Sequence, residues 1–199
     1  MGRRTSACSL ALFLSSACLN TADGGGGVEG VTSVDDDGAG AAEYPAGPYG
    51  NEVGEVFPRM TFLDQTGSVV DLADDFQGTH GTRVLFFTTM WCTPCIPDAE
   101  YLAAELAAGF PGAAGLGALF EGLDGAAPDV EDAALYNQEV ETFEFVADVG
   151  QGVHDVFSIG AGLPRVVVLR TETMQIVHIG TGHDMDTILG AVAQVEAGG

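Results

Sequence analysis

Apolar and polar positions alternate along the second half of this chain in a pattern that predicts strands and helices in turn. Residues 84–89 are apolar and β-branched, which is typical of a buried strand. A helical pattern follows, with apolar positions through Leu102 and Leu106, and is expected to end near Ala108. The chain therefore passes from a central strand directly into a helix.

The remaining elements follow from the same two periodicities and from turn residues. They are a hairpin around the turn 64–67, a helical turn at 71–76, a strand at 116–120, a helix at 129–140, a strand at 143–146, a short helix at 153–159, strands at 166–169 and 175–179, and a helix at 185–195. This alternation predicts an α/β domain with helices on both faces of one sheet, closed by an antiparallel hairpin.

Residues 1–18 have the pattern of an export signal. Arg3 and Arg4 form a charged start, residues 10–14 a short apolar centre, and residues 15–17 a small-residue cleavage region. The apolar centre is too short for a permanent membrane anchor. Ala17-Cys18 resembles the end of a bacterial lipobox, after which Cys18 would be a lipidated N-terminus. We expect an exported protein of the periplasm or cell envelope, anchored by lipid or otherwise secreted.

Residues 19–50 are a glycine-rich, acidic segment, with four glycines at 24–27 and three aspartates at 35–37. Such a segment cannot bury enough apolar surface to order itself. As a flexible chain it would span roughly 30 Å. We interpret it as a tether between the membrane and a folded domain at 51–199.

The net charge of the chain limits the kinds of partner that we expect it to bind. Its 29 acidic residues face only six basic ones, for a net charge of −23. Nucleic acid and anionic lipid headgroups are therefore excluded as partners of the domain. The apolar fraction of 46% is sufficient for a hydrophobic core.

Two cysteines lie where the central strand meets its helix, in the sequence Trp91-Cys92-Thr93-Pro94-Cys95. Two intervening residues put both sulfurs on one turn at a helix start, where free backbone N–H groups and the helix dipole favour a thiolate. Reversible dithiol–disulfide exchange needs such a pair. A structural disulfide would close too small a loop to stabilise the fold much, and a zinc site would need a second cysteine pair.

The order of these motifs resembles a known fold. W-C-T-P-C at a strand end, followed by Gly162-Leu163-Pro164 before a final hairpin and helix, is similar to the thioredoxin fold. The N-terminal hairpin and the added helix and strand at 129–147 are closer to the TlpA/ResA-type thiol–disulfide oxidoreductases of the AhpC/TSA-like redoxin superfamily. The resemblance covers residues 51–197 and implies a thioredoxin-like mixed sheet with an N-terminal β-hairpin extension.

The resemblance also implies roles for individual residues. Cys92 corresponds to the exposed attacking cysteine and Cys95 to the buried resolving one, so that the two form a redox-active disulfide. Trp91 flanks the site, and a cis bond before Pro164 would let the backbone of Leu163 pair with substrate, beside Thr93 and Pro94. Asp98 matches an acidic position that manages protons on the cysteine pair.

This sequence departs from the thioredoxin pattern in ways that affect proton transfer. Thioredoxin has a buried aspartate six residues before the first cysteine, and here that position is Phe86. Any proton relay must then use Asp98 or water. The histidines His154 and His183 are assigned to surface or loop positions.

These features predict an enzyme that exchanges disulfides with protein thiols outside the cytoplasm, together with an electron-transfer partner and without a cofactor or a metal. A thiol peroxidase of the same superfamily is an alternative, although the proline expected four residues before Thr89 is Leu85. A copper carrier is another alternative, but related carriers use a C-x-x-x-C spacing.

Overall fold

The computed structural model of this protein describes residues 43–140, 143–157 and 162–198. The predicted export signal, Cys18 and the tether up to residue 42 lie outside the described residues. Within the described ranges, no helix has the length and apolar character needed to cross a membrane.

A seven-stranded mixed sheet is the centre of the domain. Its strands, in chain order, are β1 (Thr61–Leu63), β2 (Val69–Asp71), β3 (Thr82–Thr88), β4 (Ala113–Leu119), β5 (Phe145–Ala147), β6 (Arg165–Arg170) and β7 (Gln175–Thr181). The spatial order is β2-β1-β5-β4-β3-β6-β7. Strands β3, β4 and β5 run parallel, whereas β6 and β7 form the predicted antiparallel hairpin beside β3.

Four helices connect and cover the strands: α1 (Cys95–Gly109), α2 (Val130–Glu139), α3 (Gly152–Phe157) and α4 (Met185–Glu196). Short 3-10 helices occupy Leu72–Asp75 and Gly182–Asp184. Alternate side chains of β3 enter two separate cores, because successive residues of a strand point to opposite faces. Val84 and Phe86 pack with α1, α2 and α4, whereas Leu85 and Phe87 pack with α3. Helices on both faces of the sheet confirm the predicted architecture.

Strand β4 begins earlier than the sequence pattern predicts. It contains Gly115 and Gly117, which lower the strand propensity. The rings of Phe143 and Phe145 lie against them, so that a Cβ on Gly117 would be 2.2 Å from the Phe145 ring. Only glycine permits this approach, and the ring supplies the packing that a side chain would otherwise provide.

Ordered contacts begin before residue 51, within the segment interpreted as part of the tether. The hydroxyl of Tyr44 donates a 2.7 Å hydrogen bond to the carbonyl of Phe57. The Tyr44 ring also packs edge-on against Phe76, with centroids 6.1 Å apart. Backbone hydrogen bonds between Val56 and both Pro48 and Gly50 add to these contacts. The segment 44–50 is therefore attached to the domain, although it is rich in glycine and proline.

Strands β3 and β4 bring their carboxyl ends to the same edge of the sheet. In the parallel register Thr88 lies beside Leu119, so the segments that follow both strands emerge next to each other. In open α/β sheets this edge is the usual position of ligand and active sites. Both cysteines of the predicted redox pair lie here, between the end of β3 and the start of α1.

Candidate active site

The two cysteines are covalently linked at the start of α1. Their sulfurs are 2.02 Å apart and their Cα atoms 5.4 Å apart. The turn is closed by a 3.0 Å hydrogen bond from the Cys95 N–H to the Cys92 carbonyl. A further bond of 3.2 Å joins the Cys92 N–H to the carbonyl of Thr89. The local backbone thus holds both sulfurs on the single turn that the spacing predicts.

The cysteines differ little in exposure, and Cys92 is less exposed than the resemblance implies. Cys92 is 5% exposed and Cys95 is 0% exposed. Both belong to the core beneath α1, against which Met90 and Leu163 also pack. Cys92 therefore presents only a small part of its surface to solvent. The expected order, with Cys92 the more accessible sulfur, remains.

The electrostatic environment of the pair comes mainly from the backbone. Helix α1 starts at Cys95, and Pro94 at its N-terminal cap makes no side-chain hydrogen bond. The N–H groups of Cys95 and Ile96 donate to the carbonyls of Cys92 and Thr93 in the preceding turn. The positive end of the helix dipole still favours negative charge at this position. Because the chain contains no lysine, this helix end is the main feature that could stabilise a thiolate.

Trp91 is held at the rim of the site by a residue that the sequence does not suggest. The indole is 52% exposed, and its N–H donates a 2.9 Å hydrogen bond to the carboxylate of Glu121. The Glu121 carbonyl accepts a second bond, of 2.9 Å, from the N–H of Met90. Glu121 lies two residues after the end of β4, and the parallel pairing of β3 with β4 brings it to Trp91.

The loop before β6, which contains Leu163 and Pro164, also contributes to the site. The peptide bond between Leu163 and Pro164 is cis, as the resemblance implies. Pro164 is buried, and Leu163 packs against the core that contains both cysteines. Within the described part of the chain, the N–H and carbonyl of Leu163 make no hydrogen bond. Thr93 and Pro94 are exposed, so both can contact a substrate at this surface.

Gly182 is a second residue of the site that sequence reasoning missed. Its N–H donates a 3.0 Å hydrogen bond to the carbonyl of Pro164. A Cβ at this position would lie 2.4 Å from the carboxylate of Asp98 and 2.5 Å from the Pro164 ring. Glycine is needed here because the Asp98 carboxylate and the Pro164 ring leave no room for a Cβ. Asp98, Pro164 and the turn after β7 are thereby brought together.

Burial raises the pKa of the Asp98 carboxyl above its ordinary value, and the nearby charge of His183 partly offsets this rise. Asp98 lies three residues after Cys95 on α1, and such a separation places two side chains on the same helix face. The carboxyl is half-buried. The structure therefore joins the predicted proton-managing residue to a histidine that the sequence analysis assigned to the surface.

Comparisons with known proteins bear on the fold of the chain. No protein-family model matches the chain, and no curated protein matches it either. Among solved structures, the thioredoxin domain of a thiol-disulfide oxidoreductase from Bacteroides vulgatus is 21% identical, with a TM-score of 0.55 over 71% of this chain and 99% of that one. An exposed lipoprotein thioredoxin from Streptococcus pneumoniae is 17% identical, with a TM-score of 0.54 over 69% and 99%. A secreted disulfide oxidoreductase from Mycobacterium tuberculosis is 21% identical, with a TM-score of 0.50 over 68% and 95%.

The chain has a thioredoxin-like fold.

One position of this thioredoxin-like fold is apolar where thioredoxin itself is charged. Phe86 on β3 is 0% exposed. It makes edge-on ring contacts with Phe143 and Phe145, with centroids 6.0 Å away in each case. An aspartate at this position would be surrounded by aromatic rings. Phe86 has no group that can carry a proton, so this position cannot serve as the proton relay that it provides in thioredoxin.

Metal binding is not supported by the described part of this thioredoxin-like domain. In residues 43–140, 143–157 and 162–198, no group of three or more histidine, cysteine or acidic side chains is placed to hold a metal ion.

Replacing Asp98 with asparagine is expected to shift the pH profile of Cys92 alkylation in the reduced protein to lower pH. A unit negative charge near the cysteine pair disfavours a thiolate there by on the order of 1 kcal/mol, or about 0.7 pH unit. The shift is measured with a thiol-alkylating reagent as a function of pH. Glu100→Gln is the matched control, because Glu100 is an exposed acid on the same helix. Equal profiles for wild type and Asp98→Asn would leave Asp98 without influence on the pair.

The same substitution has a second expected consequence, for stability. The folded state raises the pKa of Asp98, so folding favours its protonated form. This contribution to stability is lost as pH rises through the folded-state pKa. The free energy of unfolding of Asp98→Asn should not show this decrease with rising pH. Denaturant titrations above and below the folded-state pKa of Asp98 measure the difference from wild type.

Replacing Gly182 with alanine is expected to destabilise the protein by about 1–3 kcal/mol, because the added Cβ has no room. Gly190 provides the control: it lies in the middle of α4, and a Cβ there would meet no atom within 4 Å. Gly190→Ala should stabilise by about 0.5–1 kcal/mol through helix propensity. Urea unfolding measures both changes. Changes of the same sign would contradict the packing inferred at Gly182.

Proposed function

We propose that this protein is an extracytoplasmic thiol–disulfide oxidoreductase that exchanges disulfides with protein thiols through Cys92 and Cys95. The bonded sulfur pair at the start of α1, beside a cis-proline loop, is the observation that carries the proposal. The thiol-disulfide oxidoreductases among the structures of similar fold support it.

The proposed thiol–disulfide exchange takes place in two steps through a mixed disulfide. In the reducing direction, the Cys92 thiolate attacks a substrate disulfide, one substrate sulfur leaves and takes a proton, and a mixed disulfide remains. The Cys95 thiol then loses its proton and attacks the Cys92 sulfur, which releases the second substrate thiol. Two electrons pass to the substrate, and Cys92–Cys95 becomes a disulfide. The opposite direction follows the same steps in reverse.

Substrate selection depends on the rim of the site. We assign the exposed indole of Trp91, together with Thr93 and Pro94, to contact with the substrate. The backbone of Leu163 has its hydrogen-bonding groups free within the described chain. An extended substrate segment can therefore pair with this backbone as a short strand, and main-chain pairing does not depend on substrate sequence.

The location and subtype also belong to the proposal. We infer a TlpA/ResA-type protein with an export signal at 1–18, a lipid on Cys18, a tether at 19–50 and the catalytic domain at 51–199. The similar structures include one protein described as secreted and one described as an exposed lipoprotein. A lipid anchor leaves the domain free to meet soluble protein substrates, and an electron-transfer partner must restore the starting redox state.

The decisive experiment equilibrates the purified full-length protein with defined dithiol–disulfide buffers and maps thiols by alkylation and mass spectrometry. We expect the peptide with Cys92 and Cys95 to gain two alkyl groups together as the buffer becomes more reducing. The proposal would be overturned if the pair stayed bonded, or stayed reduced, in every buffer whose redox potential occurs in a cell envelope.

Activity assays separate the proposed function from the alternatives. An oxidoreductase should reduce insulin disulfides in the presence of a dithiol. A peroxidase would instead consume hydrogen peroxide at the expense of the same dithiol, and a copper carrier would bind one Cu(I) per reduced pair. The outcome that supports our proposal is insulin reduction without comparable peroxide consumption or copper retention.

A further inference from the structure

A groove of about 440 Å³ opens beside the proposed active site. Tyr101 of α1 forms one wall, and the segment from Gly182 to Thr187 forms the other. Gly182 lies at the inner end, where it contacts both Asp98 and Pro164. The groove is therefore lined by a residue, Gly182, that lies directly against the carboxylate of Asp98.

His183 is exposed in this groove and directly follows Gly182. Its charge acts on Asp98 and lowers the pKa that burial raises. Within the described chain, no hydrogen bond or ion pair joins the two side chains. The groove has room for several water molecules between polar groups, and water can connect such groups at little cost.

Proton movement at the cysteine pair requires a path through protein. Each cycle moves a proton on or off Cys95, which is 0% exposed and cannot exchange it directly with solvent. The route through β3 is closed by Phe86, and the chain has no lysine. Asp98 lies one helical turn beyond Cys95 on α1, which places its carboxyl on the same helix face as Cys95.

We propose that His183 relays protons between Asp98 and solvent during thiol–disulfide exchange, which deepens the proposed function and rests on it. When Cys95 attacks the mixed disulfide, its thiol proton passes to the Asp98 carboxylate. The imidazole of His183 then takes that proton through groove water and releases it to solvent. When the disulfide is reduced instead, the proton follows this path inward.

The other charged and titratable groups around His183 do not replace it. Tyr101 faces it from α1, Asp184 and Asp186 flank it in the following turn and helix, and His178 of β7 lies near Asp184. Burial lowers the pKa of His178, whose Nε2 is buried without a hydrogen-bond partner in the described chain. Among groove-lining residue types, only histidine ordinarily changes charge between about pH 5 and 8.

Chemical rescue tests the relay. We expect His183→Ala to lower insulin reduction at neutral pH by about tenfold, as for loss of a modest acid–base contribution. Added imidazole, which is small enough for the groove, should restore most of the rate in proportion to its concentration. A merely structural role for His183 would show no such rescue. His183→Gln provides a second variant of nearly wild-type size.

Two controls complete the experiment. His154→Ala removes a histidine of α3, on the opposite face of the sheet, and should leave the rate unchanged with or without imidazole. Asp98→Asn should be slow and insensitive to imidazole, because the group that receives the proton is missing. Wild-type rates in both His183 variants, or a loss that imidazole does not restore, would overturn the relay. Inactive wild-type protein would instead overturn the proposed function.

Discussion

Replacing Cys92 with serine is expected to abolish disulfide exchange, with a loss of turnover of about 10³-fold or more, as when a nucleophile is removed from an enzyme. A serine hydroxyl at this position can neither attack a disulfide sulfur nor form the mixed disulfide. Cys95 is fully buried, so it cannot take over the attack on a protein substrate. Turnover is measured by insulin reduction with a dithiol as electron source.

The control for this variant is Cys8→Ser, the same chemical change at a cysteine within the predicted export signal. We expect full activity from Cys8→Ser. Activity within a few-fold of wild type in Cys92→Ser would show that another sulfur makes the first attack, and the assignment of Cys92 would be wrong.

Replacing Cys95 with serine is expected to convert the protein into a trap for its substrates. Cys92 still attacks, but no second thiol is available to displace the substrate from the mixed disulfide. Complexes that separate on reduction should accumulate on non-reducing gels and carry the mass of protein plus substrate. Multiple turnover should fall by about two orders of magnitude or more, because release depends on external thiols.

The trap needs a folded protein, since Cys95 lies in the core beneath α1. A buried serine hydroxyl without a partner costs about 1–3 kcal/mol, so urea unfolding is measured in parallel. The double variant Cys92→Ser/Cys95→Ser keeps the same buried hydroxyl and should form no complexes. Full turnover by folded Cys95→Ser would remove the resolving role from this residue.

These two substitutions separate roles that burial alone separates weakly. Exposures of 5% and 0% differ little, and both sulfurs pack against the same apolar cluster. The difference arises from position on the turn, because Cys92 precedes the helix whereas Cys95 is its first residue. We therefore expect a substrate sulfur that approaches past Trp91 and Leu163 to meet Cys92 first.

Local sequence was sufficient for the elements and for the sulfur pair. Periodicity predicted β3, α1, α2, β6, β7 and α4 to within a few residues, because each buries one regular face or lies between two layers. The turn Cys92-Thr93-Pro94-Cys95 could be predicted as well, since its geometry depends only on adjacent residues. The cis bond before Pro164 followed from the resemblance rather than from periodicity.

Periodicity was a less reliable guide to structure where contacts between distant residues, rather than the local sequence pattern, stabilise a segment. The glycine-rich start of β4 is a strand because the rings of Phe143 and Phe145 cover Gly115 and Gly117. Tyr44 joins the domain through the carbonyl of Phe57 and the ring of Phe76. In both cases the stabilising partner is distant in sequence, and composition alone predicts the opposite.

What the sequence by itself determined is the α/β succession, the acidic character of the chain and the presence of two cysteines at a strand–helix junction. Only the tertiary structure decided what surrounds them: Glu121 on Trp91, Gly182 between Asp98 and Pro164, and His183 near the carboxyl of Asp98. The physical reason is that backbone patterns repeat along neighbouring residues, whereas a site is assembled where separate strand ends and helix starts meet.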